Sequence, residues 1–167
     1  VTGDIHLAIK HFLKAAEIRP DEYQTLSLAA SKIGLLEGES VALEVSNQAL
    51  ERIDRRLKYC PTEGRAYIFG ALLHARNGNT TKGLHYLEKA IQYDPSSGTY
   101  YNAACFHCLS GNYELAIETL EKSFDLGINF AIWVRNDPDL EKIIHDPRVQ
   151  TILEKMDARM AAEPPAL

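Results

Sequence analysis

A shift of 33 residues lays the segment from Gly64 to Leu126 on itself, and a chain with that property is built of stacked copies of one unit. Tyr67 falls on Tyr100, Ala71 on Ala104, His74 on His107, Gly78 on Gly111 and Asn79 on Asn112. Further on, Leu87 falls on Leu120, Glu88 on Glu121 and Lys89 on Lys122, while Gly70 and Gly83 meet Ala103 and Ala116, small for small. Small residues recur where two helices approach closely, and large ones where a neighbour leaves a hole. A helix–turn–helix unit of this length cannot bury its apolar side alone, so successive units line up and share one core.

The pattern resembles the tetratricopeptide repeat family. In Gly64–Pro95 the family's large residue opening the first helix is Tyr67, its small pair Gly70–Ala71 and its turn glycine Gly78. Its small crossing residue is Gly83, its later large residue Leu87, its alanine Ala90 and its closing proline Pro95. The copy from Ser97 puts Ile128 where that proline belongs, which predicts a change of geometry at the C-terminal end. The resemblance implies an all-α fold, a right-handed superhelix of about seven repeat helices closed by a C-terminal helical cap.

The rest of the chain divides around this core. A shift of 75 lays Gly3 on Gly78, Ala8 on Gly83, Phe12 on Leu87, Ala15 on Ala90 and Pro20 on Pro95, so residues 4–20 read as a second helix without its first. Residues 21–61 read as an irregular repeat. Tyr23 and Gly34 match Tyr67 and Gly78 at a shift of 44, but Ala49, Ile53 and Pro61 match Gly83, Leu87 and Pro95 at 34. The ten extra residues predict a longer second helix, capped by Ser40, standing a turn or more beyond its neighbours. Regular repeats occupy 64–96 and 97–128, with helices near 64–76, 80–92, 99–109 and 113–124 and with Asn79 and Asn112 as N-caps. From Asn129 the period stops. Asp137-Pro138 and Asp146-Pro147 each place a capping carboxylate before a proline, predicting short helices at 131–135 and 138–144 and a last one at 147–161. These are expected to fold Trp133, Leu140, Ile143, Val149, Ile152 and Leu153 over the open end of the solenoid, as a cap over 129–162. Residues 163–167 read as a mobile tail.

Composition narrows the function. A net charge of −5 argues against nucleic acid, which wants a basic face to neutralise phosphates. No stretch approaches the ~20 apolar residues of a membrane span. Three cysteines do not make a disulfide framework, and a reducing cytoplasm is the expected setting. The start lacks a methionine and a signal peptide, so the chain reads as a fragment of something longer.

Catalytic motifs are missing: there is no Gly-x-Ser-x-Gly elbow, Walker loop or His-Glu-x-x-His. Asp21-Glu22 and Asp137/Asp139 fall at helix starts, where carboxylates oppose the macrodipole. Cys105 and Cys108 share a helix face but offer two ligands where a structural zinc takes four, so no metal or other cofactor is expected. His74 and His107 share one register and are read as filling equivalent inter-helix pockets, each bonded to a neighbouring backbone group, with a pH-sensing role as the rival reading.

What remains is a surface. The resemblance implies that the first helices of successive repeats line a concave groove. Carried over position by position, that groove is Gln24, Thr25 and Leu28, then Arg65, Ile68, Phe69, Leu72 and Arg76, then Tyr101, Asn102 and Cys105. Asn102 stands where such repeats often hold a ligand backbone. The lysines of the chaperone-binding members are missing, since Gln24 and Gly98 hold their positions. The groove therefore suits a protein or peptide segment offering apolar side chains, with an acidic group near Arg65 or Arg76. The last 70 or so residues, with Trp133-Val134-Arg135-Asn136-Asp137-Pro138-Asp139-Leu140, also resemble the C-terminal repeat segments of bacterial multidomain signalling proteins. The functional expectation is a non-catalytic interaction module of such a protein. The alternative is a structural or oligomerising element that associates through the face Ile5, Ile9 and Phe12, left bare by the missing first helix.

Overall fold

The computed structural model describes residues 4–162. The match at Gly3 and the tail at 163–167 lie outside the described residues. Within them the chain forms nine α-helices, one 3₁₀ turn and no strand. The helices are α1 (Ile5–Ile18), α2 (Gln24–Leu36), α3 (Glu39–Tyr59), α4 (Gly64–Arg76) and α5 (Thr80–Tyr93). They continue with α6 (Ser97–Leu109), α7 (Tyr113–Asp125), α8 (Ala131–Asn136), the 3₁₀ turn Pro138–Leu140 and α9 (Pro147–Ala162).

Helices pair as α2/α3, α4/α5 and α6/α7, with α2, α4 and α6 in one row and α1 packed on α2. The turns inside the regular pairs need glycine. Gly78 and Gly111 have φ of +74° and +77°, the left-handed region where a Cβ is penalised. Asn79 then caps α5 by accepting from the Lys82 amide, whereas Asn112 opens α7 without a side-chain cap bond.

One core runs from Ala16 to Met156, through Leu26, Ile53, Leu73, Leu87, Phe106, Leu120, Leu140 and Leu153. A satellite core holds Ile9, Ala29 and Ile33, with Ile5 and Phe12 packed against it. The face expected to be bare on α1 is therefore turned onto α2; α1 exposes Leu7 and Ile18 instead.

The long helix is α3, at 21 residues against 14 for α5 and 13 for α7. It starts after Gly38 and has no side-chain cap, so Ser40 is the second residue of the helix and not its cap. The C-terminal cap extends the two layers of the solenoid: the 3₁₀ turn packs on α6, and α9 packs on α7. The helix expected at 138–144 is only the 3₁₀ turn followed by hydrogen-bonded turns, and Asp137 caps it through the Asp139 amide. Leu140, Ile143, Val149, Ile152 and Leu153 are buried as expected, but Trp133 is not: it is 58% exposed and stacks on Phe130 at 4.4 Å. Short α8 turns Ala131 and Val134 inward, which leaves Ile132 and Trp133 facing out.

Candidate partner-binding groove

Helices α2, α4 and α6 carry every residue assigned to the groove from sequence, and the structure divides those residues into three groups. Ile68, Leu72 and Cys105 are buried and belong to the core beneath the surface. Gln24 and Thr25 sit at the start of α2, where Glu22 accepts from both their amides at 2.6 and 2.8 Å. Phe69 is half-buried, edge-to-face with Tyr23 at 6.0 Å, and Asn102 donates to its own helix at the Gly98 carbonyl, 2.8 Å away. Arg65 and Leu28 are exposed.

The third group is Arg76 and Tyr101, with buried Cys105 beside them, and the C-terminal cap has come to it. Asp139 takes a two-pronged ion pair from Arg76, with Nη1–Oδ1 at 2.8 Å and Nη2 on Oδ2. The Tyr101 hydroxyl donates to Asp137 Oδ2 at 2.6 Å, and Cys105 Sγ lies 3.8 Å from the same oxygen. Burial pushes the Asp139 carboxyl above its ordinary range, and Asp137 adds to this; Arg76 and, more weakly, Lys32 pull it back. Burial also raises the Tyr101 hydroxyl and the Cys105 thiol, which stays protonated. Cys105, Asp137 and Asp139 offer three ligand atoms within 4.8 Å of one another. Their carboxylates are already held by a guanidinium and a phenol, and a second cation beside Arg76 would be repelled.

Next to this cluster an open cleft of about 610 Å³ is lined by Lys32, Tyr101, Ile132, Trp133, Asn136 and Asp137, with Pro138 at its edge. Lys32 on α2 and Asn136 on α8 share this cleft although α4 and α6 lie between them in the row, so the row curves. Leu28, one turn before Lys32, presents to the same side of α2. The reading from sequence missed Lys32, Ile132, Trp133 and Asn136 as lining residues. Lys32 was within reach, because the shift of 44 that matches Tyr23 to Tyr67 also places it on Arg76. The α8 residues carried no signal, since the period had already stopped.

His74 and His107 occupy equivalent buried places as expected, but His74 Nε2 and His107 Nδ1 have no hydrogen-bond partner, so the expected backbone bonds do not form at those atoms. His74 packs edge-on against Tyr86 at 5.1 Å instead.

A curved row of paired helices with a groove along its first helices defines a repeat-solenoid scaffold. Two of its repeats match a known family model: residues 64–97 and 97–126 match the Tetratricopeptide repeat. A solved structure described as the crystal structure of MamA is similar over 96% of this chain and 93% of that one, with a TM-score of 0.54 and 18% identity. That likeness is one of fold. A comparison with curated proteins finds no match. Among the described residues no helix is long and apolar enough to cross a membrane.

Proposed function

We propose that this chain is a non-catalytic docking module that takes a segment of a partner protein in the cleft between α2 and α8, as part of a larger bacterial signalling protein. The observation that carries this reading is the cleft itself. It combines an exposed indole, an exposed Ile132 and the Lys32 ammonium in one cleft. An aromatic anchor beside a charged group is what a transient peptide interface needs, and affinity on the order of micromolar is expected. The signalling context rests on the C-terminal resemblance, and the cytoplasmic setting on cysteine usage. Self-association through α1 is the weaker reading, because α2 covers Ile9 and packs on Ile5 and Phe12.

The test is selection of displayed peptides on the intact chain, followed by titration against variants. Selected peptides are expected to carry aliphatic and acidic residues and to lose at least tenfold in affinity on Trp133→Ala or Leu28→Asp. If selected peptides bind both variants as tightly as the parent chain, the cleft is not the docking site.

A further inference from the structure

Lys32 and Arg76 hold the same register on successive first helices; Arg76 pairs with Asp139, and Lys32 lines the cleft that Asp137 also lines. Tyr101 adds a hydroxyl donor for Asp137 two residues earlier. Pro138, first residue of the 3₁₀ turn, fixes its own φ and keeps Asp137 extended at ψ 113°, so the two carboxylates are offered to the groove from a tight turn. Two cations and a donor on one side thus meet an Asp-Pro-Asp turn on the other, next to a cleft that remains open.

We propose that the Asp137-Pro138-Asp139 turn is an internal stand-in for the partner. On this view the Lys32/Arg76/Tyr101 end of the groove binds a partner segment carrying two carboxylates around a proline, and such a segment docks by displacing the turn. The proposal deepens the docking reading and rests on it. A fork-shaped guanidinium suits a carboxylate held in two-pronged geometry, so charge complementarity commits the occupant to an acidic segment. Occupation from within the same molecule lowers the apparent affinity for an outside segment by the fraction of molecules in which the groove is free. Loosening the turn should therefore tighten outside binding, whereas a turn that only holds the cap would have no such effect.

The probe is a fluorescent peptide of this chain's residues 134–142, with a control in which both aspartates are asparagine, titrated into the full chain. The chain carrying Asp137→Asn and Asp139→Asn is expected to bind the acidic peptide about tenfold more tightly than the parent chain. The control peptide should not bind, and adding Arg76→Gln should abolish the gain. Equal binding to parent and variant chains, or no binding to either, overturns the proposal. Should the double variant fail to fold by circular dichroism, Asp137→Asn alone weakens the turn's hold on Tyr101, leaves the Arg76–Asp139 pair and the groove side chains in place, and must show the same direction. The two readings fail separately. Displayed peptides that depend on Trp133 but ignore Arg76 leave the docking module standing and remove the stand-in. Binding that survives the Trp133 and Leu28 changes removes the cleft itself.

Discussion

At the scale of single residues, one tight constraint is the crossing of α5 with the next first helix. A Cβ on Gly83 would lie 2.7 Å from Phe106 Cε2 and 3.1 Å from the Ala71 carbonyl oxygen. Phe106 is fully buried and the other neighbour is backbone, so neither can give way easily. Alanine in place of a helical glycine gains up to about 1 kcal/mol of propensity, but overpacking here costs more. Gly83→Ala is therefore expected to lower stability by about 1–2 kcal/mol in urea denaturation, and Phe106→Leu in the same chain should recover part of the loss. In the following repeat the equivalent residue is Ala116, which is buried without strain, so the small position is set by its neighbour and not by the motif.

The two buried histidines give the second prediction at this scale. Burial pushes both below the ordinary 6.5; for His74, Lys82 adds to the effect and Asp54 opposes it. The unfolded chain then takes up protons near pH 6.5, where the folded chain does not. Stability is whole above that pH and falls as the pH drops through it, by at most about 1.4 kcal/mol per pH unit for each histidine. Asp139 is shifted the opposite way, above its ordinary 3.8, so the histidine share is read by difference. The chain with His74→Gln and His107→Gln should show a urea midpoint flatter than the parent's between pH 7 and about 5.5. Parallel slopes would mean that the histidines do not titrate with folding.

At the scale of elements, the regular repeats were legible in the sequence almost to the residue. Gly78, Gly111 and the buried apolar positions each answer to a local rule. The irregular parts were less so, for reasons that can be named. Ser40 looked like a cap because it is the right residue before an apolar run, yet Gly38, with φ of +97°, turns the chain earlier and the helix begins there. Trp133 looked like core because tryptophan usually is, but a six-residue helix can turn only one narrow face inward, and Ala131 and Val134 take it. The groove was legible as a row of helices and not as a cleft, because its second wall belongs to α8, where the repeat pattern has ended.

The first helix is tied to α3 by one side chain, Arg52. Its Nη1 donates to the carbonyls of Ala16 at 3.1 Å, Arg19 at 3.3 Å and Glu22 at 2.9 Å, satisfying the open end of α1 and fixing it to α3. Arg52→Ala is expected to cost about 1–2 kcal/mol, seen as faster amide exchange in α1 with α4–α7 unchanged. Lysine at this position should recover part of the loss, since all three bonds run from the single Nη1 and an ammonium carries three donors. Uniformly faster exchange along the whole chain would mean that α1 is not held separately in this way.

At the scale of the whole molecule, a solenoid is held together by contacts between neighbours, so distant parts are coupled only where something bridges them. Arg76 and Asp139 are such a bridge: 63 positions apart in sequence, they tie α4 to the cap across α6. The pair is mostly buried, with side-chain exposures of 24% and 10%. Removing one partner strands a charge, at a cost of about 3–5 kcal/mol in buried pairs, while replacing both with apolar groups can be close to neutral. Asp139→Leu and Arg76→Met should each destabilise more than the double replacement does, giving a coupling of about 1–3 kcal/mol. The sole tryptophan lies in the cap, so its fluorescence follows that part alone, while far-ultraviolet circular dichroism follows all the helices. In the parent chain the two signals should change together on denaturation. In Asp139→Leu the fluorescence should change at lower denaturant than the circular dichroism, as the cap leaves a solenoid that still stands, and in the double replacement the curves should come back together. If they stay coincident in the single variant, the cap is held by the apolar contacts of Leu140, Val149 and Leu153, and the buried ion pair contributes no coupling across the fold.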